Sequence, residues 1–129
     1  MKFETKVELL RTKKYEGRET QEFLEDVAKM AKGESLEYLL GEVLFCEAIV
    51  DLSLRPMIPR PETEHWVKNA VEEIQDTRNK KQGVVRIANE STKSFQTLDL
   101  FAGSGCVGLA VLKNIPESHV TFVEIDKNR

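Results

Sequence analysis

Apolar positions recur at helical spacing through the first forty residues. Phe3, Val7 and Leu10 share one stripe over 3–14, and Phe23, Leu24, Val27, Ala28 and Ala31 share a denser one over 20–32. Thr20 suits an N-cap for the second helix and Gly33 suits its stop. Ser35 caps a short third helix carrying Leu36, Leu39 and Leu40, and Gly41 ends it. From Glu42 to Leu52 the pattern changes to the short runs Val43–Cys46 and Ala48–Val50, which predict two strands, read as a hairpin. Prolines 56, 59 and 61 then make an extended connector, because a proline ring clashes with a helical predecessor.

Pro61 suits the first turn of a further helix, with Glu62 and Glu64 at the positive end of its dipole. Trp66, Val67, Ala70, Val71 and Ile74 give that helix one apolar face. Residues 75–95 are polar, with only a weak strand-like interruption at Val84–Ile87, and read as a surface loop or linker. Next come a strand over Phe95–Phe101, a glycine turn over Gly103–Gly108, a helix over Val107–Lys113 and a strand over Val120–Ile125. That order makes a βαβ unit with a parallel sheet, so the fold class is α/β.

Composition narrows the function classes. With 40% hydrophobic and 32% charged positions in 129 residues, the chain has material for a modest core and is not disordered by composition. Its 19 basic and 22 acidic residues are mixed along the length, so a nucleic-acid partner is not indicated. Cys46 and Cys106 form no Cys-x-x-Cys pair and sit near no histidine cluster, so neither a disulfide framework nor a metal site is expected. Charges run through the first thirty residues, leaving no apolar run for a signal peptide or membrane span. The expected compartment is cytoplasmic.

The chemistry concentrates at the glycine turn. Gly103-Ser104-Gly105-Cys106-Val107-Gly108 follows a strand and opens a helix, the context in which such a string binds an adenosine-containing cofactor. Glu124, 19 residues after Gly105, stands at the second strand's end, where a carboxylate accepts ribose hydroxyls. Asp99 stands near the carboxyl end of the first strand. A dinucleotide would bring its pyrophosphate there and be repelled by roughly 1 to 4 kcal/mol at about 4 Å. S-adenosyl-L-methionine would instead bring an ammonium and a sulfonium, so Asp99 favours the methyl donor. The bland readings are a packing turn, a solvated Glu124, a Cys106 that only fills the turn, and an Arg60 paired with Glu62 or Glu64. His65 and His119 stand alone and read as surface residues.

Leu98-Asp99-Leu100-Phe101-Ala102-Gly103-Ser104-Gly105 resembles the first motif of class I methyltransferases, which are Rossmann-like. More specific is Ile58-Pro59-Arg60-Pro61-Glu62-Thr63-Glu64, preceded by Tyr38-Leu39-Leu40-Gly41-Glu42 and Phe45. Over about residues 34–129 the chain resembles the release factor glutamine methyltransferases. The resemblance implies a helical substrate-recognition segment over 1–41, a hairpin and proline linker over 42–60, and the start of the methyltransferase domain, with an incomplete parallel sheet, over 61–129. It also implies that Asp99, Phe101, Ala102, Gly103, Ser104, Gly105 and Glu124 bind S-adenosyl-L-methionine, and that Arg60, Pro61, Glu62 and Thr63 border the cofactor and substrate pocket. The partner would be a peptide chain release factor.

Three departures stand out. The helical segment is short, Glu47 occupies a hairpin position where such proteins commonly have glycine, and the Asn-Pro-Pro-Tyr string that would hold the acceptor amide does not occur in these residues. No catalytic residue is therefore assigned, and the expectation is a C-terminally truncated, inactive chain. The rival readings are an adenine amino-methyltransferase acting on nucleic acid and a non-catalytic fragment that binds only a cofactor or partner.

Overall fold

A computed structural model describes residues 1–82 and 95–126 of the chain. Three helices open it: α1 (Phe3–Tyr15), α2 (Gln21–Ala31) and α3 (Leu36–Leu40). The caps read from the sequence form, since the Thr20 hydroxyl accepts from the Phe23 N–H and the Ser35 hydroxyl from the Tyr38 N–H. Leu10, Phe23, Met30, Leu36 and Leu39 make their core.

The stripe on α2 is rotated from the one the sequence suggests. Phe23, Asp26 and Met30 are buried, whereas Leu24, Ala28 and Ala31 are exposed. Asp26 takes the inward place because partners meet it there. Lys14 Nζ donates to it at 2.7 Å, Lys29 Nζ at 2.8 Å and the Tyr15 hydroxyl at 2.8 Å. Burial alone would raise this carboxyl, but the three donors together outweigh burial and hold it at about 2. The same burial, reinforced by Asp26, pushes the Tyr15 phenol up to about 12. Phe3 at the start of α1 stays largely exposed, as a helix end with no neighbour over it.

Strands β1 (Glu42–Phe45) and β2 (Ala48–Asp51) pair antiparallel with Phe45 opposite Ala48, leaving Cys46 and Glu47 as a two-residue turn. Both turn residues have positive φ, +45° and +64°, the geometry that suits the twist of paired strands. Neither is glycine, so the turn needs outside support. Glu64 accepts the Cys46 N–H at 3.1 Å, and Asn114 Nδ2 donates to the Cys46 carbonyl at 2.9 Å.

Helix α4 runs from Pro61 to Gln82, well past the start of the loop predicted at residue 75. No proline or glycine interrupts 75–82, and extending an existing helix by good formers such as Gln, Arg and Lys is cheap. Gln75 also donates to the Asn114 carbonyl at 2.8 Å, tying α4 to the helix that follows. Val84–Ile87 lies outside the described residues. Trp66 does not join the apolar face of α4 and is 64% exposed; Val67 and Val71 are buried there instead.

Strand β3 (Phe95–Leu100), helix α5 (Cys106–Asn114) and strand β4 (Ser118–Val123) form the βαβ unit. β3 and β4 are parallel, with Phe95 opposite Ser118 and Leu100 opposite Val123. β4 begins two residues before the predicted Val120, because the pairing with β3 starts at Ser118. The hairpin, α4 and α5 share a second core built on Phe45, Val50, Leu52, Val67, Val71, Ala110, Val111 and Ile115. No described helix is long and apolar enough to cross a membrane.

Candidate functional site

The carboxyl ends of β3 and β4 lie side by side, and the glycine turn leaves from them. Phe101 departs from the strand with a φ of +56°, and Gly103 and Gly105 follow at +57° and +73°. Backbone in this region favours glycine, because any Cβ crowds its own carbonyl. A Cβ on Gly103 would meet nothing nearer than the Phe101 carbonyl at 3.9 Å, so this corner is open to an approaching ligand. Gly108 has the opposite reason to be glycine. A Cβ there would stand 2.3 Å from the Phe122 ring and 2.8 Å from Val120, so its absence lets α5 lie against β4.

Both candidate carboxylates reach this turn. Asp99 accepts the Gly108 N–H at 3.0 Å, anchoring the first turn of α5. Glu124, one residue past β4, accepts the Gly103 N–H at 2.7 Å through one oxygen and the Ile125 and Asp126 N–H groups through the other. The turn closes on itself as well, with the Gly105 N–H donating to the Ala102 carbonyl and the Ala102 N–H to the Val123 carbonyl. Asp99, Ala102, Gly103, Ser104, Gly105 and Glu124 thus come together. Phe101 sits at the same corner with 86% of its surface exposed.

The residues present fit an adenosylated sulfonium better than a dinucleotide. Asp99 is hydrogen-bonded by a backbone dipole and is in no described ion pair, so its negative field faces the turn and opposes a pyrophosphate. Burial pushes the Cys106 thiol up, and the nearby Asp99 charge adds to that shift, so Cys106 is no activated nucleophile. It serves the turn as a small packing residue.

The connector meets this corner through Pro56. A small cleft of about 80 Å³ is lined by Asp51, Ser53, Leu54, Pro56, Gly103 and Ser104. Arg60 and Pro61 line a separate hollow with Glu37, Val43, Phe45, Ile58 and Glu64, while Glu62 is exposed and Thr63 half-buried at the start of α4. The sequence reading singled out Arg60 and missed the groups that fix the connector. Arg55 lies over the Tyr38 ring at 4.4 Å and donates to both oxygens of Glu34, and the Tyr38 hydroxyl donates to the Pro56 carbonyl at 2.8 Å. An arginine directly before a proline, following the Tyr38 segment, was the available signal. His65 and His119 are exposed, as read.

No protein-family model matches the chain. Among curated proteins it is similar to the release factor glutamine methyltransferase of Thermodesulfovibrio yellowstonii, with 34% identity over 98 residues, 76% of this chain and 30% of that protein. The protein of the same name from Bifidobacterium longum is 35% identical over 102 residues, covering 78% of this chain and 30% of itself. That of Streptococcus pneumoniae is 29% identical over 110 residues, 84% of this chain and 34% of the relative. The chain spans about a third of the length of the curated relatives it matches. Over about three quarters of its own length, then, this chain is similar to the release factor glutamine methyltransferases.

Proposed function

We propose that this chain forms the front part of an S-adenosyl-L-methionine-dependent methyltransferase whose acceptor is a glutamine side-chain amide of a peptide chain release factor, in the cytoplasm. The observation that carries the reading is the pair of carboxylates, Asp99 and Glu124, at the carboxyl ends of adjacent parallel strands, both hydrogen-bonded to amides of one glycine turn. When bound, the cofactor supplies an electrophilic methyl group on a sulfonium. This chain's own residues would hold it, Glu124 accepting from the ribose hydroxyls, Asp99 facing the ammonium end, and Gly103 and Gly105 admitting the ligand close to the backbone.

Domain roles follow the same reading: 1–41 meets the substrate, 42–60 links, and 61–129 opens the catalytic domain. An amide nitrogen is a poor nucleophile and must be held in line by acceptors for its N–H groups. No residue of the candidate site is assigned that task, so the 129-residue chain alone is expected not to transfer methyl groups. Calorimetric titration with S-adenosylhomocysteine tests the site. Saturable binding that is lost in Asp99→Ala and Glu124→Ala supports the reading, and a folded chain that binds nothing sinks it.

A further inference from the structure

Arg55 has a φ of +54°, a left-handed conformation that strains any residue with a Cβ and lasts only where the surroundings impose it. The surroundings do so here. The Arg55 N–H donates to the Leu52 carbonyl at 2.9 Å, and the Leu52 N–H to the Gly41 carbonyl at 2.8 Å. The guanidinium donates to both oxygens of Glu34, at 2.9 and 3.1 Å, and its carbon stands 4.4 Å from the centre of the Tyr38 ring. The Tyr38 hydroxyl then donates to the Pro56 carbonyl at 2.8 Å. Glu34 precedes α3 and Tyr38 lies within it, so the helical cluster grips the connector at both Arg55 and Pro56.

The residues on either side of the strained position, Leu54 and Pro56, line the cleft of about 80 Å³ beside the glycine turn, together with Asp51, Ser53, Gly103 and Ser104. That volume is below the ~300 Å³ of a pocket that encloses a whole small molecule, so the cleft takes one end of a ligand. Gly103 is the most open of the three glycines of the turn, and Glu124 fixes its N–H. A ligand that lies over Gly103 and Ser104 therefore has the connector as its opposite wall.

We propose that Glu34, Tyr38 and Arg55 are positioning residues for the cofactor, which set the spacing between Leu54–Pro56 and Gly103–Ser104 and with it the affinity for the methyl donor. They act through the wall and not by touching the ligand. This role rests on the reading of the glycine turn as a methyl-donor site, and it brings residues of the helical segment into that site. The physical gain is preorganisation. A wall held by an ion pair, a ring and a hydroxyl has little freedom left to lose when a ligand arrives, whereas a loose wall must be ordered on binding, which weakens it.

The test is calorimetric titration of the full chain with S-adenosylhomocysteine, read beside amide shifts in magnetic resonance. Tyr38→Phe keeps the ring beside Arg55 and removes only the bond to Pro56, so it is expected to weaken binding about fivefold, the scale of one hydrogen bond. In the ligand-free chain the same substitution should shift the amides of Leu54, Arg55, Gly103 and Ser104. Arg55→Glu puts two carboxylates together and should weaken binding about tenfold. Adding Glu34→Arg to it should restore part of that loss, which general loosening would not do. Val7→Ala loosens the helical cluster at α1 without touching Glu34, Tyr38 or Arg55, and should leave the affinity unchanged. Parent-like binding in Tyr38→Phe, Gly103 and Ser104 amides that do not move, a charge swap that restores nothing, or an equal loss in Val7→Ala overturns the positioning role alone. A folded parent chain that binds no S-adenosylhomocysteine overturns the cofactor reading and the positioning role with it.

Discussion

In the helical cluster Asp26 is buried and takes its hydrogen bonds from Lys14, Lys29 and Tyr15. In the βαβ unit Asp99 and Glu124 are half-buried and take theirs from backbone N–H groups of the turn. Two ammonium groups more than neutralise Asp26, so no negative charge is left there to offer a ligand. A backbone dipole supports Asp99 without cancelling it, and one hydrogen bond leaves most of the about four lone-pair sites of a carboxylate unspent. The first arrangement ties α1 to α2. The second fixes the carboxylate while leaving it able to attract a cation.

The sharpest way to break the comparison is at the contact that brings the turn's helix onto its strand. Gly108→Val places side-chain atoms where the Phe122 ring and Val120 already stand, and is expected to destabilise by about 3 kcal/mol. Denaturant unfolding measures it, and Phe122→Ala in the same chain should restore part of the loss by removing the ring. If Gly108→Val is as stable as the parent, the close packing of α5 on β4 is not what demands glycine.

Asp26 gives the next effect. Its folded value of about 2 lies below the ordinary 3.8 of an aspartate, so its contribution is fully present above the unfolded value and is lost as pH falls through the folded one. Stability should drop by about 2 kcal/mol between about pH 5 and about pH 2 on this account. In Asp26→Asn, measured by midpoint against pH, that part of the slope should vanish. An unchanged slope would assign the acid sensitivity to other carboxylates.

The smallest effect is at the hairpin. Glu47 holds a φ of +64° that glycine adopts without strain, so Glu47→Gly should raise stability by about 1 kcal/mol. A gain in thermal midpoint checks it. A loss would mean that Glu47 makes a contact worth more than the backbone strain it carries.

The helices, the hairpin and the βαβ order were legible because each is written in local pattern: caps at Thr20 and Ser35, period-breaking apolar runs at Val43–Val50, and a glycine string after an apolar strand. Asp99, Gly103 and Glu124 were legible for the same reason, since spacing along a βαβ unit fixes which residues reach one corner. What misled was any inference that needed a partner. Trp66 sits at helical spacing with Val67 and Ala70 yet faces out, because periodicity alone does not say where the covering element lies. The start of β4 shifted because β3, distant in sequence, sets its pairing, and α4 passes residue 75 where Gln75 meets the Asn114 carbonyl.

By itself the sequence determined the class of elements, the glycine turn between strand and helix and the resemblance carried by Ile58–Glu64, all of which depend on short-range sterics and spacing. The tertiary structure alone decided that Asp26 would be buried between two lysines, that Asn114 and Glu64 would hold the Cys46–Glu47 turn, and that Pro56 rather than Arg60 would line the small cleft beside the glycine turn. Each of these is a contact between segments far apart in the chain, whose free energy exists only once packing has brought the two partners out of water and into reach.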